Sequence, residues 1–305
     1  MKRVLITGAG GFVGQRCLPL LQALAYDVHA VSRSPRREET AGVSWHHADL
    51  LDETQMSELV ARVRPTHLLH LAWYTEHGKF WTAVENLRWV GASIALFEKF
   101  ASVGGIRMVA TGTCAEYAPD DNAPCSELST PLVPATLYGA CKHAVQVVFQ
   151  SFARQAGISA AWGRIFFPYG PGEPAGRLIP SVARALLVGE PARCTHGRQV
   201  RDFIYVEDVA SALVALLDSS VEGAVNIGSG QPVTLRHVID KVAQHTGGAE
   251  LVQLGAIPAS EDELPSLYAD TRRLTEEVGW SPCYGLDEGI DVTVDWWRQR
   301  QRREI

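Results

Sequence analysis

A tyrosine and a lysine stand four residues apart in Tyr138-Gly139-Ala140-Cys141-Lys142. On a helix that spacing puts both side chains on one face. A phenol with an ordinary pKa near 10 lies about three pH units above neutrality, a gap of roughly 4 kcal/mol. An ammonium one turn away favours the phenolate, as does a nicotinamide cation. Tyr138 can then act as acid or base towards a hydroxyl or carbonyl, and Lys142 can also reach ribose hydroxyls. Taken alone the pattern is weak, because an aromatic beside a solvated lysine has the same spacing.

A second chemical signal opens the chain. An apolar run, Val4-Leu5-Ile6, leads into Thr7-Gly8-Ala9-Gly10-Gly11-Phe12-Val13-Gly14 and then a helical pattern. The spacing of Gly8, Gly11 and Gly14 is G-x-x-G-x-x-G, and Gly10 adds G-x-G. Such a strand–turn–helix holds a dinucleotide pyrophosphate: glycines let backbone approach the phosphates, and the helix start offers free N–H groups. Gly8, Gly11, Phe12 and Val13 are candidate contacts. A glycine-rich turn with no ligand is the blander alternative.

The end of the second strand reads Val31-Ser32-Arg33-Ser34-Pro35-Arg36-Arg37. A carboxylate there would take a ribose 2′-hydroxyl, whereas a 2′-phosphate needs cationic or small polar groups. Ser32 and Arg33, with Arg36 as a helper, favour NADP over NAD. The alternative is an exposed basic loop beside an NAD site. Asp27 precedes the strand and reads as a turn residue.

These residues need a scaffold, and the pattern supplies one. Strands over 4–6, 28–31, 43–47, 67–72, 107–111 and 159–166 alternate with helices near 12–25, 52–63, 84–103 and 136–156. That alternation predicts an α/β fold, a Rossmann doubly wound parallel sheet with right-handed crossovers. After residue 167 the rhythm breaks at Pro168, Gly170, Pro171, Gly172 and Pro174. Helices near 177–189, 206–218, 234–246, 270–279 and 286–300 follow, with strands around 201–205 and 224–228. The expected division is a cofactor-binding domain over 1–167, with 201–230 returning to it. A smaller C-terminal α/β substrate domain takes 168–200 and 231–305.

The chain has 305 residues and a formal net charge of −6, which argues against nucleic acid and against an anionic membrane as partner. No apolar run is long enough to span a bilayer, and no basic-then-apolar leader is evident, so the expectation is a soluble, cytoplasmic protein. Six scattered cysteines form no C-x-x-C pair, so reduced thiols are expected. His46, His47, His196 and His237 lack metal-ligand spacing, and no metal is expected. An aromatic segment, with Trp73, Tyr74, Phe80, Trp81 and Trp89, lies where nicotinamide and substrate should meet. Trp73 is a candidate substrate contact, with ordinary packing or a dimer surface equally open.

Together these residues resemble the extended short-chain dehydrogenases/reductases, of the nucleotide-sugar epimerase/dehydratase/reductase type. The likeness covers nearly the whole chain. It includes T-G-x-x-G-x-x-G over 7–14, Asp49-Leu50, His70-Leu71-Ala72, Asn86, Thr111-Gly112-Thr113 and Tyr138 with Lys142. It continues through Arg164-Ile165-Phe166-Phe167-Pro168-Tyr169-Gly170-Pro171-Gly172 and Arg201-Asp202-Phe203-Ile204-Tyr205-Val206-Glu207-Asp208-Val209. Asn226-Ile227-Gly228, Ala269-Asp270-Thr271 and Gly279-Trp280 complete it. The resemblance implies that Thr113, four before Tyr117, is the catalytic Ser/Thr, acting on the reacting oxygen with Tyr138 and Lys142. It implies that Asp49 and Leu50 cover the adenine, that Leu71 and Ala72 line the diphosphate and ribose, and that Pro168 approaches the carboxamide. Arg201 would face the substrate diphosphate; a salt bridge to Asp202 or another carboxylate is the alternative. A homodimer built from the helices near 84–103 and 136–156 is implied as well.

Departures from the family pattern narrow the chemistry. Dehydratases carry Asp-Glu after the catalytic Thr; here Cys114 and Ala115 stand there, and Glu116 comes one position late. Phe167 replaces a usual Asn, and Ser260-Glu261-Asp262-Glu263 offers no Arg where one is often found. Arg177, Arg193 and Arg198 could replace the charge or could be ordinary surface arginines. The expected function is NADPH-dependent reduction of the keto group of a nucleotide-linked (4-keto-6-deoxy) sugar. The alternatives are an NAD(P)-dependent nucleotide-sugar epimerase and a cofactor-sensing regulator that need not keep Thr113, Tyr138 and Lys142.

Overall fold

The computed structural model describes residues 2–34, 40–119, 123–259 and 263–304. In chain order the regular elements are β1 (Arg3–Thr7), α1 (Gly14–Ala23), β2 (Asp27–Ser32), β3 (Val43–His47), α2 (Glu53–Val63), β4 (His67–His70) and α3 (Glu85–Ser102). Next come β5 (Arg107–Thr113), α4 (Leu137–Ala156), β6 (Ser159–Ile165), β7 (Phe167–Tyr169), α5 (Leu178–Leu187), β8 (Ala192–Arg193), β9 (Val200–Tyr205) and α6 (Val206–Asp218). The last are β10 (Gly223–Ile227), β11 (Pro232–Thr234), α7 (Leu235–Thr246), β12 (Val252–Gln253), β13 (Ser266–Leu267) and α8 (Leu286–Glu304).

Seven strands form one parallel sheet in the order β10-β6-β5-β4-β1-β2-β3. Alternate side chains leave opposite faces, so Val4 and Ile6 join the layer of α1 and α6 while Leu5 joins that of α2, α3 and α4. Both layers are apolar, as a sheet buried on two faces requires. The strand order reverses between β1 and β4, and a doubly wound sheet opens its ligand crevice at that point.

A smaller lobe packs α5, α7 and α8 around one core that includes Tyr169, Tyr205, Val238 and Ile290. Its sheet runs β11-β9-β13, with β7 also on β9. The stretch 201–230 is divided: β9 lies in this small sheet, while α6 and β10 pack with the large one. Two buried carboxylates tie the late chain back. Asp202 accepts from Ser229 N at 2.8 Å, Gly230 N at 3.0 Å and Ala269 N at 3.2 Å. Asp208 accepts from Cys283 N at 2.9 Å and Tyr284 N at 3.0 Å.

Two expected elements are shorter than predicted. The strand expected over 67–72 ends at His70: the Leu71 N–H is shared between Thr7 O and Thr7 Oγ1, and the Ala72 N–H turns to Thr7 Oγ1. The helix expected over 270–279 is a single π turn, Arg273–Glu277, with Leu274 its one buried side chain. Gly279, at φ +74°, ends it, and so little apolar area does not sustain more turns. No helix among the described residues is long and apolar enough to cross a membrane.

Candidate active site

A cleft of about 670 Å³ opens beside the β1–α1 turn, and Gly8, Gly10, Gly11, Phe12 and Val13 form one wall. The turn admits nothing larger than glycine at two points. Gly8 has φ +66°, and a Cβ there would lie 2.8 Å from Ala72 N. A Cβ on Gly14 would lie 2.2 Å from Gly8 O. Thr7 Oγ1 accepts from Leu71 N at 3.1 Å and Ala72 N at 3.2 Å, stitching the ends of β1 and β4 together. This backbone-lined cradle at the start of a helix has the shape and donors a dinucleotide diphosphate needs.

At one end of the cleft lie Ser32, Arg33 and Ser34. Ser32 Oγ donates to Ser34 O at 2.9 Å and accepts from Ser34 N at 3.2 Å, which folds the loop into a tight turn. Arg33 is exposed, and its carbonyl meets His47 Nε2 at 2.9 Å. Arg36 lies outside the described residues. Leu50, Leu71, Ala72 and Pro168 line the cleft. Asp49 does not. Its carboxylate accepts from Leu51 N at 3.1 Å, holding the turn before α2, and Ala48 lines the cleft beside Leu50.

The catalytic candidates come together at the other end. Thr136 caps α4 by accepting from Gly139 N at 3.1 Å, which fixes the first turn carrying Tyr138 and the second carrying Lys142. Lys142 lines the large cleft, whereas Tyr138 and Thr113 line an adjoining cavity of about 270 Å³, with Pro168 in both walls. Lys142 Nζ donates to Thr111 O at 2.7 Å and sits 4.0 Å from the Trp73 ring centroid. Burial brings its ammonium down to about 7. Burial raises the Tyr138 phenol, against a hydrogen bond with Thr113 and the charge of Arg177, which lower it. Burial is the largest influence on Tyr138 and Thr113 the next, while Lys142 is committed to the Thr111 carbonyl.

Trp73, expected on the substrate side, lines the large cleft instead. Its indole N–H donates to Asn86 Oδ1 at 2.8 Å, and its face carries the Lys142 ammonium, so it is held as a wall of that cleft. Other aromatics of that segment reach the small cavity. Phe80 and Trp81 meet the Tyr138 ring edge-on at 4.9 and 5.8 Å, and Trp81 O accepts from Tyr138 N at 3.1 Å.

Arg201 also lines the small cavity, but its Nη2 donates to Glu263 Oε1 at 2.8 Å and its Nη1 to Val200 O at 2.8 Å. Gln199 Nε2 takes the other Glu263 oxygen at 2.7 Å. The guanidinium also lies 5.5 Å from the ring of Phe167, so aromatic stacking stands where the family's Asn would offer an amide. Asp202, the nearer carboxylate, instead accepts from the backbone of Ser229, Gly230 and Ala269 and from the Ser229 hydroxyl. Cys114 lines the cavity as a buried thiol pushed up to about 12 by burial, which makes it no substitute for a carboxylate. Sequence reasoning did not select Glu173 or His77, which line the same cavity, and left Arg177 open. Glu173 had one available signal, an acidic residue inside the Gly/Pro turn after β7.

The glycine cradle, the Tyr138–Thr113 contact and Lys142 form one continuous site. Residues 4–228 match the NAD dependent epimerase/dehydratase family. The chain belongs to that family. A UDP-glucose 4-epimerase of Rhizobium meliloti is 27% identical over 335 residues, 98% of this chain and 97% of the relative. The structure of MoeE5 in complex with UDP-glucuronic acid and NAD is similar with TM-score 0.86 at 30% identity, covering 99% of this chain and 100% of that one. The Thermus thermophilus UDP-glucose 4-epimerase complex with NAD gives TM-score 0.85 at 27% identity, covering 97% and 99%. As a member of the NAD dependent epimerase/dehydratase family, the chain is an enzyme of the extended short-chain dehydrogenase/reductase type. Its Rossmann sheet is built for an NAD(P) cofactor.

Proposed function

We propose that this enzyme is an NADPH-dependent oxidoreductase that reduces the keto group of a nucleotide-linked sugar, of the 4-keto-6-deoxy class. The cofactor choice rests on Ser32, Arg33 and Ser34 at the ribose end of the cleft, where no carboxylate lines the wall among the described residues. Exposed cationic and hydroxyl groups suit a 2′-phosphate. A consumed reductant is then the natural role for the cofactor.

The glycine turn, Leu50, Leu71, Ala72 and Pro168 would hold the dinucleotide, which when bound supplies the hydride. Tyr138 Oη, kept protonated by its burial, gives its proton to the carbonyl oxygen of the sugar. The Thr113 hydroxyl steadies that oxygen and the phenolate left behind. Lys142, anchored on Thr111 O, presents its ammonium to the cofactor side of the same helix face. Cys114 and Ala115 leave the site without the carboxyl pair a dehydration needs. Because Arg201 is paired with Glu263, Arg177 is the arginine among the described residues of the small cavity that is left to meet substrate phosphate.

Epimerisation is the second reading, favoured by the UDP-glucose 4-epimerase relatives and the NAD held by the solved neighbours. It uses the same Tyr138 and Thr113, once to accept and once to return a proton. Purified protein offered a panel of keto- and hydroxy-nucleotide sugars separates the two. Stoichiometric oxidation of NADPH on keto sugars is expected, and interconversion of sugars with no net change in cofactor would replace reduction by epimerisation.

Exposed Leu87 on α3 and Val147 and Val148 on α4 support a homodimer through those helices. The cytoplasm, where NADPH is supplied, is the compartment that fits the reaction.

A further inference from the structure

Glu173 is 6% exposed and lines the 270 Å³ cavity together with Thr113, Tyr138 and Arg177. Its Oε2 is buried and has no hydrogen-bond partner among the described residues. Of the buried side-chain atoms in that condition, it alone belongs to a residue lining this cavity. Burial of a polar atom without a partner opposes folding, so such a group points to something that the folded chain by itself does not supply.

The backbone fixes this arrangement. Glu173 N donates to Gly170 O at 3.1 Å, and Arg177 N donates to Pro174 O at 3.0 Å. Two successive turns thus deliver Glu173 and Arg177 to one cavity, between β7 and the start of α5. Tyr169 on β7 and Arg177 are the titratable groups acting on Glu173. Tyr138, His77 and the Arg201–Glu263 pair line the same space.

The geometry points to Glu173 as a substrate-binding residue, whose Oε2 takes a hydroxyl of the sugar and so selects an uncharged sugar, 6-deoxy sugars included, over a uronate. Burial raises its carboxyl to about 8, against the charge of Arg177 and the Gly170 backbone, so near neutrality it can both donate and accept. A sugar hydroxyl complements such a group in either sense. Above about pH 8, where Glu173 is ionised, it still accepts from a sugar hydroxyl but repels the carboxylate of a uronate.

This inference rests on the reading of the site as one for nucleotide sugars. It is tested at about pH 9, where Glu173 is ionised, by isothermal titration of the full-length protein, saturated with NADPH, with UDP-glucose and with UDP-glucuronic acid. Wild type is expected to favour UDP-glucose by about ten-fold or more, the scale of one charge-assisted contact. Glu173→Gln, whose amide can donate to a carboxylate, should erase most of that preference. A preference unmoved by Glu173→Gln, with both sugars bound, overturns the assignment of Glu173 alone. If neither sugar binds, the nucleotide-sugar reading falls and this one with it. Should the Gln variant fail to fold, wild type decides: tighter binding of UDP-glucuronic acid overturns the assignment, and the ten-fold preference for UDP-glucose supports it.

Discussion

Glu116 holds the backbone of Thr113: its Oε1 accepts the Thr113 N–H at 2.9 Å, and the Thr113 Oγ1 accepts Ala115 N at 3.2 Å in return. The same carboxylate accepts from Trp162 Nε1 at 3.0 Å and Arg164 Nε at 2.8 Å. Glu116 and Arg164 are both buried, and Arg164 Nη1 donates to Tyr117 Oη at 3.0 Å. The acidic residue that comes one position late for dehydration therefore positions Thr113.

Removing that carboxylate strands a buried guanidinium. Glu116→Ala should lower stability by about 3–5 kcal/mol, as breaking one side of a buried ion pair does. Glu116→Gln keeps acceptors for Thr113 N and Trp162 and should lose less. Urea denaturation followed by tryptophan fluorescence measures both. Equal stability of wild type and Glu116→Ala would contradict the role given to the network.

The cofactor end makes a separate prediction. Arg33→Asp should weaken NADPH binding by about ten-fold or more and leave NADH binding unchanged or improved, since a charge-assisted phosphate contact is lost and a ribose acceptor gained. Fluorescence titration of both cofactors reads it. Tighter binding of NADH than NADPH by the wild type would overturn the preference for NADP.

Glu173 makes stability depend on pH in a definite direction. Its carboxyl rises from 4.5 to about 8 on folding. Between those values the folded chain keeps a proton that the unfolded chain has released, so stability falls as pH rises through the window and levels off above it. Glu173→Gln carries no such proton. Its stability relative to wild type should therefore climb between about pH 5 and about pH 8, as urea midpoints at the two values would show. A difference constant across that range would mean that Glu173 titrates normally.

Much of the scaffold was legible because local rules and global fold agree. Val4, Leu5 and Ile6 alternate between two apolar layers, Gly8 and Gly14 sit where a Cβ collides, and Thr136 starts the helix that carries Tyr138 and Lys142. The lining of the small cavity was harder to read. It assembles Phe80, Thr113, Tyr138, Glu173, Arg201 and Glu263 from segments far apart in the chain. The pairing of Arg201 with Glu263 depends on β13 lying beside β9, and both β7 and β13 are too short for periodicity to reveal. Asp49 and Trp73 were misplaced for a related reason. Motif position locates a residue on the chain, but hydrogen bonds to Leu51 and Asn86 decide where the side chain turns.

The most direct measurement is the kinetics of Tyr138→Phe with NADPH and the keto nucleotide sugar that the panel identifies. The phenol lines the small cavity with Thr113, edge-on to Phe80 and Trp81. Losing its proton while keeping its ring should cut kcat by about 10²–10⁴-fold and leave the Kd for NADPH and the thermal midpoint nearly unchanged. Turnover equal to wild type in that variant would contradict proton delivery by Tyr138, and with it the proposed mechanism.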